Sequence, residues 1–578
     1  MDFRFRRLAW YVMPSVVALA LAGCGGSDSK TTTAPDAKLP EVATPTEVTT
    51  AGSNQVVINY VDTSAVAGTS RAIASDSKYA KYNLYTWNNE TCDALADSSI
   101  QNNWDASTLV PTAADTYGPT WVLNVTKETG CVNFILRDGD NNKLIGSDMM
   151  VNFTDHPDRT VSVVAGKTTV YPDRASAFNA AFGVAQASAH LVDANTLLWE
   201  GGKGKAIVRL YYSTTGNIAP DSTGVFKDKY ITLTPATLTD AQKATIATKF
   251  NHLKDYAAFT LPSGADLKGM LKGEVVALAT NDKGILQAAT LVQSPGALDA
   301  LYADKAKEQQ YGAIVGTDGV TFRLWAPTAQ NVKLALYNAD KTPASVEEMK
   351  LDTDTGAWSY AGSTDLKGKY YRYQMTVYHP TTRKVESYEV TDPYSLSLSM
   401  NSEYSQVVDL NDADLKPTGW DDLKAPHSQA TQQDVAKMVV HESHVRDLTA
   451  FDTGIPAAER GKFVGLADSN SLAVKHLQDL SKAGVTHLQL LPAFDIATVN
   501  EDPAKVANLD DPFSKLCDVN SNVKNSTQFN SHCSSSETIA DVMASLDKDG
   551  EDRQALNRMV ADTDSYNWGY DPYHYTVP

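Results

Sequence analysis

Tyr85 and Trp87 stand two apart in the segment Tyr82-Asn83-Leu84-Tyr85-Thr86-Trp87. Side chains two apart on a strand share one face, so the pair has two possible uses. Facing solvent, the rings form a platform on which the apolar C–H faces of sugars stack; facing inward, they are half of a core. For an anonymous β domain the pattern alone favours the core. Four further chemistry-bearing residues are cysteines, falling into two local pairs, Cys92 with Cys131 and Cys517 with Cys533. No Cys-x-x-Cys is present, and local closure in an oxidising compartment selects these two disulfides over the other pairings and over metal binding. His532, beside Cys533, reads as a loop histidine.

Compartment follows from the N-terminus. Arg4, Arg6 and Arg7 precede an apolar stretch, 8–21, that is too short to span a bilayer. Residues 1–23 therefore read as a signal peptide. Leu21-Ala22-Gly23-Cys24 resembles the bacterial lipobox, which implies cleavage before Cys24 and its acylation. Several acyl chains, at about 0.8 kcal/mol per buried methylene, would hold the protein on a membrane. Gly25 rather than Asp resembles the outer-membrane sorting pattern, so the expectation is an exported protein lipid-anchored to the outer membrane or cell surface. Residues 24–54 are rich in Thr, Ser, Pro, Ala and Gly and read as a flexible tether. The formal net charge of -19 leaves no basic face to grip phosphate and argues against a nucleic-acid partner.

The 578 residues imply several domains. Short alternating segments make 55–166 a β module. It resembles carbohydrate-binding module family 41, in which an aromatic pair is joined by a Lys and an Asp five residues apart; Lys143 and Asp148 stand at that spacing after Phe134-Ile135-Leu136-Arg137-Asp138-Gly139-Asp140. The resemblance implies an α-glucan site formed by Tyr85, Trp87, Lys143 and Asp148. Trp104 is a candidate addition to that surface, and Trp121 reads as core. Residues 167–304 again mix strands with turns. Ala189-His190-Leu191-Val192, Thr196-Leu197-Leu198-Trp199 and Ser294-Pro295-Gly296-Ala297-Leu298-Asp299 resemble the second N-terminal domain of pullulanases, which implies a mainly structural role. In 305–425, Gly319-Val320-Thr321-Phe322-Arg323-Leu324-Trp325-Ala326-Pro327 resembles carbohydrate-binding module family 48, with Trp325 expected in the core.

The segment 433–578 opens with an apolar strand pattern around Val439-Val440-His441-Glu442, an amphipathic helix with Leu472, Val474, Leu477 and Leu480 on one side, and a second buried-strand pattern at 485–491. Glu442 to Asp447 resembles the first barrel strand of pullulanases, with His441 in place of Tyr, and Leu490-Leu491-Pro492-Ala493-Phe494-Asp495-Ile496 resembles the second. Tyr566-Asn567-Trp568-Gly569-Tyr570-Asp571-Pro572 resembles the substrate loop, which implies that Tyr570 stacks on a glucose beside the cleavage point. The expected fold class is multidomain: β-sandwich modules followed by an incomplete (β/α)8 TIM barrel, because a complete one takes about 250 residues.

The resemblance to glycoside hydrolase family 13 implies hydrolysis of α-1,6 branch links in pullulan, starch and related α-glucans. Retaining hydrolysis needs two carboxyl groups about 5–5.5 Å apart. In the family these lie on later strands, and no catalytic residue is assigned here; Glu442, Asp447, Asp495 and Asp571 match structural motifs. The sequence thus predicts a pullulanase-like chain that binds pullulan, starch or maltooligosaccharides without cleaving them; the alternative is a non-catalytic surface lipoprotein that captures α-glucans. No cofactor is required. Calcium is common in this class, but no ligand set for it is assigned.

Overall fold

The structure is a computed structural model describing residues 39–42, 49–62, 77–105, 108–115, 117–138, 140–182, 186–221, 225–424 and 435–575. The signal peptide and Cys24 lie outside the described residues.

The first module is a sandwich. Strands β1 (Gln55–Val61), β3 (Ala113–Asp115), β4 (Gly118–Asn124) and β7 (Thr160–Val164) form one sheet in the order β3-β4-β1-β7, and β2 (Asn83–Trp87), β5 (Cys131–Arg137) and β6 (Met149–Asn152) form the other. Leu84, Phe134, Leu136 and Val151 of the second sheet share a core with Val56, Ile58, Trp121 and Leu123 of the first. Trp121 is fully buried and its indole N–H donates to the Leu109 carbonyl at 3.0 Å. Cys92 is bonded to Cys131, with Cα atoms 4.7 Å apart, so the loop after β2 is tied to the start of β5.

The second module is a closed barrel of seven strands: β8 (Ala187–Leu191), β9 (Thr196–Leu198), β10 (Ile207–Ser213), β11 (Lys229–Pro235), β12 (Ala258–Thr260), β13 (Glu274–Thr280) and β14 (Leu286–Gln293), ordered β10-β11-β12-β9-β8-β14-β13. Its pairs are antiparallel except β8 with β14. One face of each strand buries Leu197, Trp199, Val208, Leu210 and Ala277 in a single cluster. Tyr211, Val276 and Leu278, which alternate with those residues, pack with Val61 and Val164 of the first module and Phe178 of the intervening helix Arg174–Phe182. Val42 joins this seam and is fully buried. The tether expected over 24–54 is therefore corrected at 39–42, which pack against the barrel because an aliphatic side chain in a polar stretch finds an apolar seat.

The third module again pairs two sheets. One is β15 (Gly312–Gly316), β16 (Gly319–Trp325), β20 (Ala357–Gly362) and β19 (Lys350–Asp352); the other is β18 (Pro343–Glu348), β17 (Asn331–Tyr337), β21 (Tyr370–His379) and β22 (Lys384–Val390), with β23 (Ser405–Gln406) beside β21. Trp358 belongs to the core. Trp325, expected there, is half-buried at the end of its strand and donates to the Thr355 carbonyl at 2.9 Å.

In the last segment β24 (Val440–Ser443) and β25 (His487–Leu490) pair in parallel, with the helix Leu472–Lys482 between them in sequence. This is one βαβ unit. Its strands, expected to be buried, leave Val440, Leu488 and Leu490 exposed, because a two-stranded sheet has too few neighbours to cover both faces. The closed barrel of this structure is thus the β barrel of the second module. A separate helical cluster, built on Phe513–Val519, Ile539–Ser545 and Glu551–Ala561, surrounds Phe513, Leu516, Ile539 and Leu556 and is stapled by Cys517–Cys533. Strands β26 (Asp495–Ile496) and β27 (Pro572–His574) then pair antiparallel.

The second and third modules meet at Glu274, whose side chain is fully buried. Its carboxylate accepts from the Ile218 N–H at 2.6 Å, Arg383 Nε at 2.6 Å and the Tyr378 hydroxyl at 3.2 Å. Burial, then the Glu274 charge, holds the Tyr378 phenol protonated well above its ordinary range. Removing one partner of a buried pair strands the other charge. Arg383→Ala is expected to destabilise the protein by about 3–5 kcal/mol, measured by denaturant unfolding; a loss below 1 kcal/mol would show that water reaches the seam.

Candidate functional site

From Leu84 onward strand β2 alternates between buried and half-buried residues. Leu84 and Thr86 are buried on the core side, whereas Tyr85 and Trp87 are half-buried on the outer face. The two rings therefore lie on the outer face of the sheet rather than in the core. The ring centroids are 5.5 Å apart and tilted by 43°, and Trp104, which is exposed, adds a third ring 5.4 Å from Tyr85. Opposite them on β5 and β6 lie Asn133 and Met150, in register with Trp87. Lys143 and Asp148 form an ion pair at 3.0 Å, and the Lys143 ammonium sits 5.9 Å from the centre of the Trp104 ring. The structure thus links Tyr85, Trp87, Trp104, Lys143 and Asp148 through a run of successive contacts.

Beneath the rings is a residue to which sequence reasoning assigned no role. Arg137, at the end of β5, has no exposed surface. Its Nε and Nη2 donate to Asn83 Oδ1 at 2.8 and 2.5 Å, Nη1 donates to the Trp104 carbonyl at 2.5 Å, and the guanidinium lies 4.4 Å from the Trp104 ring centre. Burial pulls this guanidinium below its ordinary range. The strand period carried the signal: Asn133, Ile135 and Arg137 face away from Val132, Phe134 and Leu136. In the adjoining turn, burial of Asp138 is outweighed by hydrogen bonds from the Asn142 side chain and the Asn142 and Asp140 N–H groups, which hold its carboxyl below the usual range.

Tyr570 belongs to a second assembly, in the loop before β27. It is 64% exposed. Gly569 has φ +77°, and a Cβ there would meet the Pro492 carbonyl oxygen at 2.4 Å. The Asp571 carbonyl accepts from the Ala497 N–H at 2.9 Å, and its carboxylate accepts from the Thr498 hydroxyl. His574 is buried between Asp495 (Nδ1 to Oδ2, 3.3 Å) and Thr391 of the third module (Nε2 to Oγ1, 3.2 Å), and Ser402 donates to the same Asp495 oxygen at 2.6 Å. The backbone is therefore pinned while the Tyr570 ring is left free. Of the carboxylates in the barrel-strand motifs, Glu442 accepts from Gln489 and Asp447 pairs with Arg446. Among the described residues, no group of three or more His, Cys, Asp or Glu side chains is placed to hold a metal ion, and no helix is long and apolar enough to cross a membrane.

Comparison with known proteins matches four family descriptions along the chain: the bacterial pullanase-associated domain at 73–172, the pullulanase N2 domain at 186–300, carbohydrate-binding module 48 (isoamylase N-terminal domain) at 310–395 and the pullulanase Ins domain at 496–566. A pullulanase of Klebsiella pneumoniae is 53% identical over 571 residues, 96% of this chain and 51% of that protein. The chain belongs to the pullulanase family. It spans about half the length of the curated relatives it matches. The crystal structure of Klebsiella pneumoniae pullulanase complexed with maltotriose superimposes with a TM-score of 0.74 at 53% identity, covering 93% of this chain and 50% of that one. A structure of the Klebsiella oxytoca protein gives a TM-score of 0.75 with the same identity and coverage. The chloroplastic pullulanase 1 of Arabidopsis thaliana is 29% identical over 68% of this chain and 37% of its own length.

Gly569→Ala is expected to free the Tyr570 loop. The new methyl would meet backbone rather than a yielding side chain, and the positive φ adds about 1 kcal/mol or more of strain. Limited proteolysis within 566–573 should become several-fold faster than in the parent; an unchanged rate would mean that Asp571 alone holds the loop.

Proposed function

We propose that this chain is the glucan-binding half of a pullulanase-like hydrolase of α-1,6 branch links, and that the polypeptide of these 578 residues holds α-glucan without cleaving it. The observation that carries the reading is the outward-facing Tyr85/Trp87 pair with Trp104 beside it and the Lys143–Asp148 pair at its edge. Flat parallel rings suit a straight chain. Rings tilted by 43° suit successive glucoses of a curved α-linked chain, each stacking one apolar face. Lys143 offers donors and Asp148 acceptors for sugar hydroxyls at the rim, which fixes orientation where stacking is permissive. Maltotriose bound to the Klebsiella relative supports a linear α-glucan as ligand.

Trp87→Ala in the full chain is expected to weaken pullulan or maltotriose binding about thirtyfold, the roughly 2 kcal/mol of an aromatic anchor. Affinity electrophoresis in pullulan gels reads this directly, and undiminished retardation would place the site elsewhere.

Turnover is a separate question. The family's nucleophile and acid have no counterpart in the motifs present here, and the carboxylates those motifs do contain are held in structural pairs. The purified polypeptide is expected to release no reducing ends from pullulan above a heat-inactivated control; appreciable release would assign catalysis to carboxylates now regarded as structural.

A further inference from the structure

The second module carries more than a structural role. On the outer face of its barrel lies a slot occupied by residues 39–42, and several polar groups of the slot contact that segment. Arg209 of β10, which has no exposed surface, donates from Nη2 to the Pro40 carbonyl at 2.8 Å. Its guanidinium is held over the Tyr230 ring, 4.5 Å from the centre. Lys227 pairs with Glu41 at 3.0 Å. The Phe226 N–H donates to the Val42 carbonyl at 3.2 Å, so the segment is gripped by backbone as a short strand would be. At the turn before β14, Gly284 (φ +83°) leaves room for the passing backbone; a Cβ there would lie 2.3 Å from the Glu41 carbonyl oxygen. Val42 is fully buried in the cluster that also holds Val61, Val164, Phe178 and Tyr211.

We infer that this slot is a docking site for the leader of the same chain, and that the seated segment staples the first module to the second. Two features separate a built seat from chance packing. Burying the Arg209 guanidinium costs several kcal/mol, and the Pro40 carbonyl supplies a hydrogen bond that offsets part of that cost. The seam cluster, moreover, draws its apolar side chains from four sources, the first module, the intervening helix, the barrel and residues 39–42. Val42 thus closes a junction that strands β1 and β7 leave open, and the leader sets how the glucan-facing sheet of the first module is held against the rest. This inference does not depend on the glucan reading, since the slot lies on a different module from Tyr85 and Trp87.

The test is amide hydrogen exchange on the full chain with Val42→Asp, which places a charge where the seat is apolar. The Phe226 amide should exchange at least tenfold faster, and amides of Val61 and Val164 should loosen with it, while Leu210 and Ala277 inside the barrel keep their protection. Unchanged Phe226 exchange would overturn the docking. Loss of protection throughout the barrel would also overturn it, by showing Val42 to be an inseparable core residue. Gly284→Ala supplies an independent check through a double-mutant comparison. Its effect on Phe226 exchange should be large in the parent and small in the Val42→Asp background; equal effects in both would mean that Gly284 serves only its own turn and that the slot is not shaped for the leader.

Discussion

A carboxylate with no exposed surface fixes the geometry of the middle of this protein. Taking Glu274 out of water costs several kcal/mol, so the buried state exists only where its donors are all in place. One of them, the Ile218 N–H, belongs to the second module, and the other two, Arg383 and Tyr378, belong to the third. Arg383 also returns a hydrogen bond to the Ile218 carbonyl at 2.7 Å, so the same backbone unit is held from both ends. Gly216, with φ +78°, permits the approach, because a Cβ there would lie 2.5 Å from the Arg383 carbonyl oxygen. Gln330 donates to the Thr214 and Lys272 carbonyls across the same seam. A small rotation between the modules would break several of these contacts at once, which makes their relative orientation single-valued.

The platform on the first module rests on a similar buried charge. Arg137 does not reach the surface, yet it bonds the Asn83 side chain on β2 and the main chain at Trp104. It thereby fixes the loop that carries the third ring against the strand that carries the first two. A core built only from apolar side chains would bury the inner face of β2 equally well and leave Trp104 without a defined place.

Much of this was legible in the sequence, for reasons that are local. Residues two apart on a strand share a face, so the Tyr85/Trp87 pair was visible as a unit; which face it occupied depended on Leu84 meeting the opposite sheet and Thr86 the segment 99–101, both tertiary facts. Cysteine pairing followed from chain closure. The helix Leu472–Lys482 was readable from its apolar spacing and starts at Ser471, whose hydroxyl caps the Val474 N–H. By contrast, closure of seven strands into a barrel depends on β8 lying parallel to β14, a pairing about a hundred residues apart that no short window encodes. The seat of residues 39–42 was hidden because Val42 is one aliphatic residue in a tether-like composition, and its partners Arg209 and Gly284 are far along the chain. The exposure of β24 and β25 was not legible, because apolar character states what a strand requires, not what surrounds it.

The two candidate glucan contacts, the platform and Tyr570, are joined through three seams of different chemistry. Between the first and second modules the contact is apolar, with Val61, Val164, Phe178, Tyr211 and Leu278 each contributing on the order of 1.5–3 kcal/mol of burial. Between the second and third it is the Glu274 pair. Between the third module and the last segment it includes the polar set of Thr391, His574, Asp495 and Ser402, whose hydrogen bonds are worth about 0.5–1.5 kcal/mol each between neutral groups and about 1.5–3 where the Asp495 carboxylate accepts. The joint nearest Tyr570 therefore relies on a few directional polar contacts, and the exposed faces of β24 and β25 add little to it. Motion between the platform and Tyr570 should concentrate at that joint, with the three β modules moving as one body.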